Sequence, residues 1–255
     1  EGGLTIPFSS FYNIISNIDS ERINLETDNN NLIVNNDNYQ AKIQGITEEE
    51  FPIIPKIESQ DNTIEINSSV LKEALLEIIS AAHISEIRPE ISGILLDFQV
   101  TVIKLVATDS FRLAEKILYE QQFKTKITKG LKAIIPLKTA HEVIRIFPDD
   151  KLITIYLDPH QILFKNDDQD IISRLIDGQY PDYEQIIPKQ TETQIILNKD
   201  KFFSAVKLVS SFSNKTNDIK MKIKDGAKAL EIYSASQQIG ENSYLIPAKI
   251  SGDSF

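Results

Sequence analysis

The chain has no cysteine among its 255 residues, and it has only three histidines. Without cysteine, a disulfide framework, a thiolate metal site, an iron–sulfur cluster and a cysteine nucleophile are all excluded. The histidines, His83, His141 and His160, lie at least 19 residues apart, so a local His-x-x-x-His metal site is also absent. We therefore expect neither a metal nor a cofactor.

Long apolar runs are missing as well. None exceeds five residues, which is too short for a membrane span. The chain opens with Glu-Gly-Gly, without an initiating methionine and without a basic-then-apolar signal peptide, so we expect a cut N-terminus. A cysteine-free chain without a signal is expected to be cytoplasmic.

Positive charge is in the minority, with 27 basic residues against 37 acidic ones and a formal net charge of −10. This balance argues against a basic coat over the whole surface, although it leaves room for a local basic patch. The apolar share of 41% is typical of a globular protein, and the length allows one to three domains with a sizeable core.

The sequence does contain an internal repeat. Four segments, starting at Leu4, Ile64, Ala133 and Ile195, each combine a short β-type run that ends in Pro or Asn with a helical pattern. In every helix the apolar residues recur at i, i+3, i+4 and i+7, which predicts one buried stripe. The four stripes are Phe11, Ile14, Ile15 and Ile18; Leu71, Ala74, Leu75 and Ile78; Ala140, Val143, Ile144 and Phe147; and Phe202, Ala205, Val206 and Val209.

Three strand-like runs follow each helix, so every repeat is predicted to be a β-α-β-β-β unit. The runs are 23–27, 32–34 and 39–43; 94–98, 102–107 and 111–119; 152–157, 162–165 and 171–176; and 219–224, 229–233 and 244–247. The predicted fold class is therefore α+β, with antiparallel sheets and helices on one face. In a single unit, the inner face of the sheet and the apolar stripe of the helix stay half exposed. Two units packed together could bury both surfaces.

The segments between repeats suggest how the units pair. Charged, proline-bearing stretches at 55–61 and 188–192 separate repeat one from two and repeat three from four, whereas 121–132 is basic and has no proline. We predict a half-domain at 1–60, a complete domain at 61–189 and a half-domain at 190–255. In the complete domain, helices 68–82 and 137–147 are expected side by side, in front of two sheets formed jointly by both repeats.

Three motifs carry a resemblance to a known family. Arg88-Pro-Glu-Ile-Ser-Gly-Ile-Leu-Leu, Ala107-Thr-Asp-Ser-Phe-Arg-Leu-Ala114 and Asp177-Gly-Gln-Tyr-Pro-Asp-Tyr183 resemble the bacterial DNA polymerase III β subunit, the sliding clamp. The similarity runs along essentially the whole chain in the same order. Members of that family have six βαβββ units in three domains, and this sequence carries four, from the second unit of domain one to the first unit of domain three.

The resemblance implies a processivity factor without catalytic activity. Such a clamp is a head-to-tail dimeric ring that encircles double-stranded DNA independently of sequence, with helices lining the hole and sheets outside. Its partners are implied to be the DNA polymerase III α subunit, the clamp loader and repair proteins, which bind through short linear motifs, and a second copy of itself. Membrane contact is not implied.

The resemblance also implies a peptide pocket between domains two and three. The positions that match it are Ile91, Thr108, Ser110, Phe111, Arg112, Leu113, Pro181, Gln185 and Ile186. Apolar walls with a few polar groups suit a Leu-Phe type anchor. Phe111 and Gln185 replace residues that are polar or basic in many relatives, Thr216 replaces a wall residue that is sometimes apolar, and the wall from the end of domain three is not in this sequence.

A sliding ring needs diffuse positive charge near phosphates rather than base contacts. Segment 124–145 holds six basic residues against the single acidic residue Glu142, and the fourth helix adds further lysines. The predicted DNA-facing residues are Arg88, Lys126, Lys129, Lys138, Arg145, Lys199 and Lys201. Taken alone, a run of lysines is more often an ordinary solvated helix face, and the repeat together with the resemblance favours the DNA interpretation.

Two other functions are open at this stage. A clamp-like scaffold would keep the peptide pocket without closing around DNA. A hydrolase would be built around Asp109 and Ser110, but the sequence places no histidine near them, and Asp109 is more typical of a tight turn. In the same way, Tyr180 and Tyr183 favour a packed loop over a platform for stacking bases.

Overall fold

A computed structural model describes residues 3–51, 57, 62–85, 87–214, 217–224, 226 and 228–252. Thr216 and all of the 55–61 linker except Ile57 lie outside the described residues. The chain divides into two compact units, residues 1–180 and 181–255. Across the described ranges, no helix is long and apolar enough to cross a membrane.

Each repeat has the predicted helix directly after a short strand. The helices are α1 (Phe8–Asn17), α2 (Ser68–Ile78), α3 (Leu137–Ile146) and α4 (Lys199–Ser210). The side chains of Asn67 and Asn198 cap α2 and α4, because each accepts a hydrogen bond from an N–H in the first turn. Before α1 and α3, the same position is a proline with an extended backbone and no side-chain cap.

Eighteen strands are formed by the described residues, and nearly all of the predicted runs correspond to one of them. They are β1 (Leu4–Thr5), β2 (Asn24–Asp28), β3 (Asn31–Asn35), β4 (Gln40–Gln44), β5 (Ile46–Thr47), β6 (Thr63–Asn67), β7 (Gly93–Phe98), β8 (Val102–Thr108), β9 (Leu113–Tyr119), β10 (Phe123–Thr125), β11 (Leu131–Pro136), β12 (Leu152–Leu157), β13 (Gln161–Lys165), β14 (Asp170–Arg174), β15 (Thr193–Leu197), β16 (Lys220–Lys224), β17 (Ala229–Ser236) and β18 (Gly240–Gly252).

Repeats two and three exchange their first strands. One sheet has the order β10-β6-β12-β13-β14, so the first strand of repeat two lies beside the strands of repeat three. The other has the order β11-β7-β8-β9, which places the first strand of repeat three in the sheet of repeat two. Both pairings are antiparallel, with Ile66 opposite Ile153 and Ile135 opposite Ile94. The prediction of two jointly formed sheets is confirmed.

One apolar core fills the space between these two sheets and the pair α2 and α3, which contact each other. The predicted stripe of α2 is completely buried, and on α3 only Ile144 is partly exposed. Phe98, Phe147 and Phe164 are the largest fully buried side chains. Burial on this scale contributes about 1.5–3 kcal/mol for each large apolar side chain.

In the second unit, α4 packs on the sheet β15-β18-β17-β16. Ala205 and Val209 are buried against Leu230, Ile232 and Ile246, so the predicted stripe of α4 is covered by the sheet of its own repeat. On β16, Met221 and Ile223 lie opposite Ile232 and Leu230, and these pairs share the sheet face that α4 covers. The lysines at 220, 222 and 224 alternate with them and therefore point to the opposite face.

Repeat one differs from the others in the burial of its helix. Strands β2, β3 and β4 form a three-stranded sheet in which Val34 and Ile43 are buried, while β1 pairs with β5. None of the four predicted stripe residues of α1 is buried, and Ile15 is exposed. The sequence pattern is therefore correct for the helix but overestimates its burial among the described residues.

Strand β9 begins two residues later than predicted. The run 111–119 starts as a strand only at Leu113, because residues 109–112 form the turn between β8 and β9. The difference matters, since it removes Phe111 from the sheet and places it at the tip of that turn.

Candidate peptide and nucleic-acid surfaces

The turn between β8 and β9 is held by hydrogen bonds from both of its ends. Thr108 Oγ1 donates to the carbonyl oxygen of Arg112 at 2.7 Å and accepts from the N–H of Ser110 at 3.2 Å. Ser110 has a φ of 74°, in the left-handed region that favours glycine. The turn thus stores some backbone strain and is fixed by its neighbours.

Asp109 is the acceptor that organises the rest of this turn. Its Oδ1 accepts from the N–H groups of Phe111 and Arg112 at 2.9 and 2.7 Å, and its Oδ2 accepts from the Arg112 guanidinium at 2.8 and 2.9 Å. The N–H and the guanidinium of Arg112, with the N–H of Phe111, lower the pKa of Asp109 from 3.8 to about 2. A carboxylate with both oxygens used in this way is a structural acceptor, as the turn interpretation predicts.

The loop before β7 is joined to this turn by Arg88. Its Nη1 donates to Ser110 Oγ at 3.3 Å, and its Nε donates to Glu90 at 3.2 Å. Ser92 Oγ donates to the carbonyl oxygen of Ser85 and accepts from its N–H, both at 2.8 Å, which closes the loop on itself. Arg88 is one of the predicted DNA-facing residues, and in the structure it lies beside Ser110, one of the predicted pocket positions.

The structure brings six of the nine predicted pocket residues together in the first unit. Ile91 and Thr108 are buried, Leu113 is half-buried, and Arg112 is exposed. Phe111 is 96% exposed, the highest value of any large apolar residue described. The other three positions belong to the second unit, where Gln185 donates to Asp182 at 2.7 Å and Pro181 and Ile186 are partly and largely exposed.

The tyrosines of the Asp177–Tyr183 segment are buried, so they cannot form a platform for bases. Tyr180 donates from its hydroxyl to the carbonyl oxygen of Val106 on β8 at 3.5 Å, which ties the segment to the sheet. Burial raises the pKa of Tyr180 to about 12. The prediction of a packed loop is confirmed.

The basic surface of the first unit is weaker than its count of lysines suggests. Arg145 donates to Glu142 one turn earlier on α3, and Lys132 lies 3.6 Å from the buried carboxylate of Asp97. Lys138 precedes Arg145 by seven residues, so both project from the exposed face of α3. Within the described ranges, Lys138 forms no ion pair, and its charge is open to solvent.

The remaining predicted DNA contacts fall in two places. Lys126 and Lys129 are exposed on the connection from β10 to β11. Lys199 and Lys201 are exposed in the first turn of α4, in the second unit. Both groups present exposed ammonium groups that form no ion pair among the described residues, which suits phosphate contact without base readout.

Sequence reasoning did not single out Ile84 and Ile87. These apolar residues stand in the loop before β7 and are 70% and 91% exposed. An available signal was their position: two isoleucines lie between the end of α2 and the Arg88-Pro-Glu motif, outside any helical or strand periodicity.

Comparison with known proteins identifies relatives for nearly the entire chain. Residues 65–182 match the family described as DNA polymerase III beta subunit, central domain. The beta sliding clamp of Bacillus subtilis (strain 168) is 29% identical over 244 residues, and that of Staphylococcus epidermidis is 28% identical over 242. Both matches cover 94% of this chain, which spans 63% of the length of these curated relatives.

Solved structures agree with the sequence matches. The crystal structure of the DNA polymerase sliding clamp from Bacillus subtilis superimposes with a TM-score of 0.87 at 27% identity, covering 99% of this chain and 66% of that one. The beta chain from Streptococcus pneumoniae gives 0.80 at 26%, covering 97% and 65%. The subunit from Pseudomonas aeruginosa, at 21% identity and a TM-score of 0.88 over all of this chain and 70% of its own, supports the fold alone.

Proposed function

We propose that this chain, which belongs to the family of the bacterial DNA polymerase III beta subunit, acts as a sliding clamp: a processivity factor that encircles duplex DNA and tethers a polymerase to it. In this role it catalyses no reaction. The observation that carries the proposal is the exchange of first strands between repeats two and three, together with the superposition of 99% of the chain on a sliding clamp.

The divisions of the chain follow from the same proposal. Residues 1–60 are the second half of clamp domain one, 61–189 are domain two, and 190–255 are the first half of domain three. Two copies are proposed to join head to tail in a ring that acts in the cytoplasm.

Helices α3 and α4 are proposed to face the DNA. The support is the exposure of Lys138, Lys199 and Lys201, which form no ion pair within the part of the chain that the structure describes. Because such contacts neutralise phosphates and read no bases, binding is expected to be weak, indifferent to sequence and strongly weakened by salt.

Partner proteins are proposed to bind the turn at Thr108–Arg112. Its rigid hydrogen bonding and the exposed Phe111 support this choice, since loops fixed by a scaffold are the usual position of binding residues. The polymerase α subunit, the clamp loader and repair proteins are the proposed ligands, through short motifs with a Leu-Phe type anchor.

Retention on DNA of different topology tests the clamp function. Labelled protein is loaded onto closed circular duplex DNA, and the sample is divided in two. The DNA in one portion is linearised with a restriction enzyme, and both portions are then passed through a gel-filtration column. A clamp stays with the circle and leaves the linear duplex. Equal retention on both supports the scaffold that does not close around DNA, and it would overturn the proposal.

A charge-reversal pair tests which face meets DNA. The double variant Lys138→Glu with Arg145→Glu should reduce DNA affinity about tenfold or more at low salt. Each basic side chain that contacts a phosphate releases a counterion from the DNA, and this favourable contribution to binding is lost in the variant. Lys220→Glu with Lys222→Glu makes the same change in net charge on the sheet face away from α4, and it should have little effect. Unchanged affinity in the first pair would contradict the assignment of α3.

A further inference from the structure

We infer that His141 is a further DNA contact on α3, and that its protonation strengthens DNA binding as the pH falls from 8 to 6. This role rests on the proposed function, because it adds a regulated contact to the same DNA-facing helix. It concerns residues of the first unit, in which the structure describes the whole of α3.

His141 lies on the exposed stripe of α3. Lys138, His141 and Arg145 are exposed, whereas Ala140 and Val143 are buried in the core. The spacing i, i+3 and i+7 places the three exposed side chains along one line of the helix, over about 10 Å at the usual rise of 1.5 Å per residue. A duplex that contacts Lys138 and Arg145 therefore passes His141, which lies between them.

Much of the permanent charge of this stripe is already compensated. Arg145 donates from Nε to Glu142 Oε2 at 2.9 Å, and its Nη2 donates to the same oxygen. Lys138 forms no ion pair within the described ranges. The stripe thus carries one uncompensated positive charge when the imidazole is neutral and two when it is protonated.

The chemistry of imidazole suits a phosphate contact that depends on pH. Histidine is the side chain whose ordinary titration falls near neutral pH. Its protonated ring is a cation with two N–H donors, whereas the neutral ring has one donor and no charge. In the part of the chain that the structure describes, the side chain of His141 forms no hydrogen bond or ion pair, so its ring is open to a ligand.

Several charged groups belong to the elements around α3, which contacts α2, β7 and β11 and is hydrogen-bonded to β14 through Thr139 and Ser173. Those on these elements, and on the segments that follow the two helices, are Lys72, Glu73, Glu77, His83, Asp97, Lys132, Asp149, Asp150, Asp170 and Arg174.

The carboxylates among these groups are engaged with other partners. The pairs are Glu77 with Lys116, Asp97 with Lys132, Asp149 with Lys72, Asp150 with Ser69 and Asp170 with Lys165. Glu73 is exposed, and its charge acts on Lys116. Since none of them is bonded to His141, a DNA phosphate is the anion that the protonated ring can gain.

A further phosphate contact has two measurable consequences. Each contact steepens the fall of log affinity with log salt concentration by about 0.9, because a counterion is released from the duplex. At low salt the same release raises affinity about tenfold for a fully charged group, and about fivefold at pH 6, where protonation of a histidine is incomplete.

Fluorescence anisotropy of a labelled duplex tests this contact with the full chain, at pH 6 and pH 8 and at several salt concentrations. The parent should bind about fivefold more tightly at pH 6, with a salt slope steeper by about 0.9. His141→Asn should lose both differences, because asparagine does not titrate. His141→Lys should bind tightly at both pH values, because lysine stays charged at each.

The matched control is His160→Asn, which removes an exposed histidine from the turn between β12 and β13. The chain has three histidines, so His83→Asn completes the set, and both controls should keep the pH effect. Carboxylates titrate at about pH 4, outside the measured range.

Equal affinity of the parent at both pH values, or a pH effect that persists in His141→Asn, overturns the role of His141 while leaving α3 as the DNA-facing helix. If the parent binds DNA at neither pH, the DNA-facing surface fails together with this role. Retention on circular DNA then decides separately whether the clamp function holds.

Discussion

The hydroxyl of Ser68, the first residue of α2, donates to the carbonyl oxygen of Pro148 at 2.7 Å, 80 residues further along the chain. Ser68 Oγ also accepts a hydrogen bond from the N–H of Lys151 at 3.0 Å, and Lys72 Nζ donates to the carbonyl oxygen of Phe147. The start of α2 is therefore fixed to the segment that follows α3. This contact joins repeat two to repeat three at the helices, as the exchanged strands do at the sheets.

Removing that hydroxyl should destabilise the paired domain. Ser68 is completely buried, so Ser68→Ala leaves the N–H of Lys151 without its acceptor and is expected to cost about 1–3 kcal/mol in the free energy of unfolding. Urea denaturation gives the value. Ser69→Ala, which removes a hydroxyl bonded to Asp150 at the exposed side of the helix start, is the control and should cost less.

The carboxylate of Asp109 should make stability depend on pH. Because folding lowers the pKa of Asp109 from 3.8 to about 2, its contribution is fully present above about pH 4 and is lost as the pH falls toward 2. Asp109→Asn should therefore be less stable than the parent at neutral pH, with a difference that narrows between pH 4 and pH 2. Urea midpoints measured across this range check the sign.

Asp168→Asn is the comparison for this titration. It removes a carboxylate from the turn between β13 and β14, where Asn166 is the acceptor for the N–H groups of the turn. For each variant, the quantity compared is the difference in the free energy of unfolding from the parent as a function of pH. If this difference changes with pH in the same way for Asp168→Asn and Asp109→Asn, the pH dependence comes from the change in net charge rather than from the hydrogen bonds of the Asp109 turn.

Ser110 should be replaceable by glycine with a gain in stability. Its φ of 74° is costly for a residue with a Cβ, and glycine adopts it freely. Relief of this strain in Ser110→Gly should raise the free energy of unfolding by about 0.5–1 kcal/mol. The loss of the hydrogen bond from Arg88 to the serine hydroxyl reduces that gain. Asn29→Gly, at a φ of 52° in the turn between β2 and β3, should gain less, because asparagine tolerates this region. A loss of stability in Ser110→Gly would show that the hydroxyl outweighs the strain.

The sequence predicts local elements of this fold well because their signals are local. Apolar spacing locates all four helices, and the Asp and Asn clusters locate most turns. The pairing of β6 with β12 joins residues 85 to 93 positions apart, and only the need of two units to cover each other predicts it. Their register depends on packing across the core and is not written in either strand alone.

The sequence predicts the local part of the candidate site but not the part that depends on contacts between distant segments. The motif containing Asp109 and Arg112 lies within six residues, so its turn is visible in the sequence. The pairing of Lys132 with Asp97 and the exposure of Ile87 depend on contacts between distant segments, and composition overestimates the free charge near α3 for that reason. The apolar periodicity of α1 overestimates its burial in the same way. The pattern shows which face of the helix is apolar, but it does not show which other segment covers that face.

The last prediction concerns the residue before each helix, where the four repeats alternate between Pro and Asn. Asn198 has a φ of −75°, close to the −63° and −57° of Pro7 and Pro136, so proline fits its backbone. Leu197 lies at the end of β15, in the extended conformation that the residue before a proline requires.

The two residue types stabilise a helix start in different ways. Asn198 accepts from the N–H of Lys201 at 3.0 Å, and Asn198→Ala should cost about 1 kcal/mol in stability of the second unit because that N–H loses its acceptor. Asn198→Pro also loses the cap, but it restricts the unfolded chain and should recover about half of that cost. Urea denaturation of the three proteins ranks them. A proline variant less stable than the alanine variant would show that asparagine and proline are not equivalent at this position of the repeat.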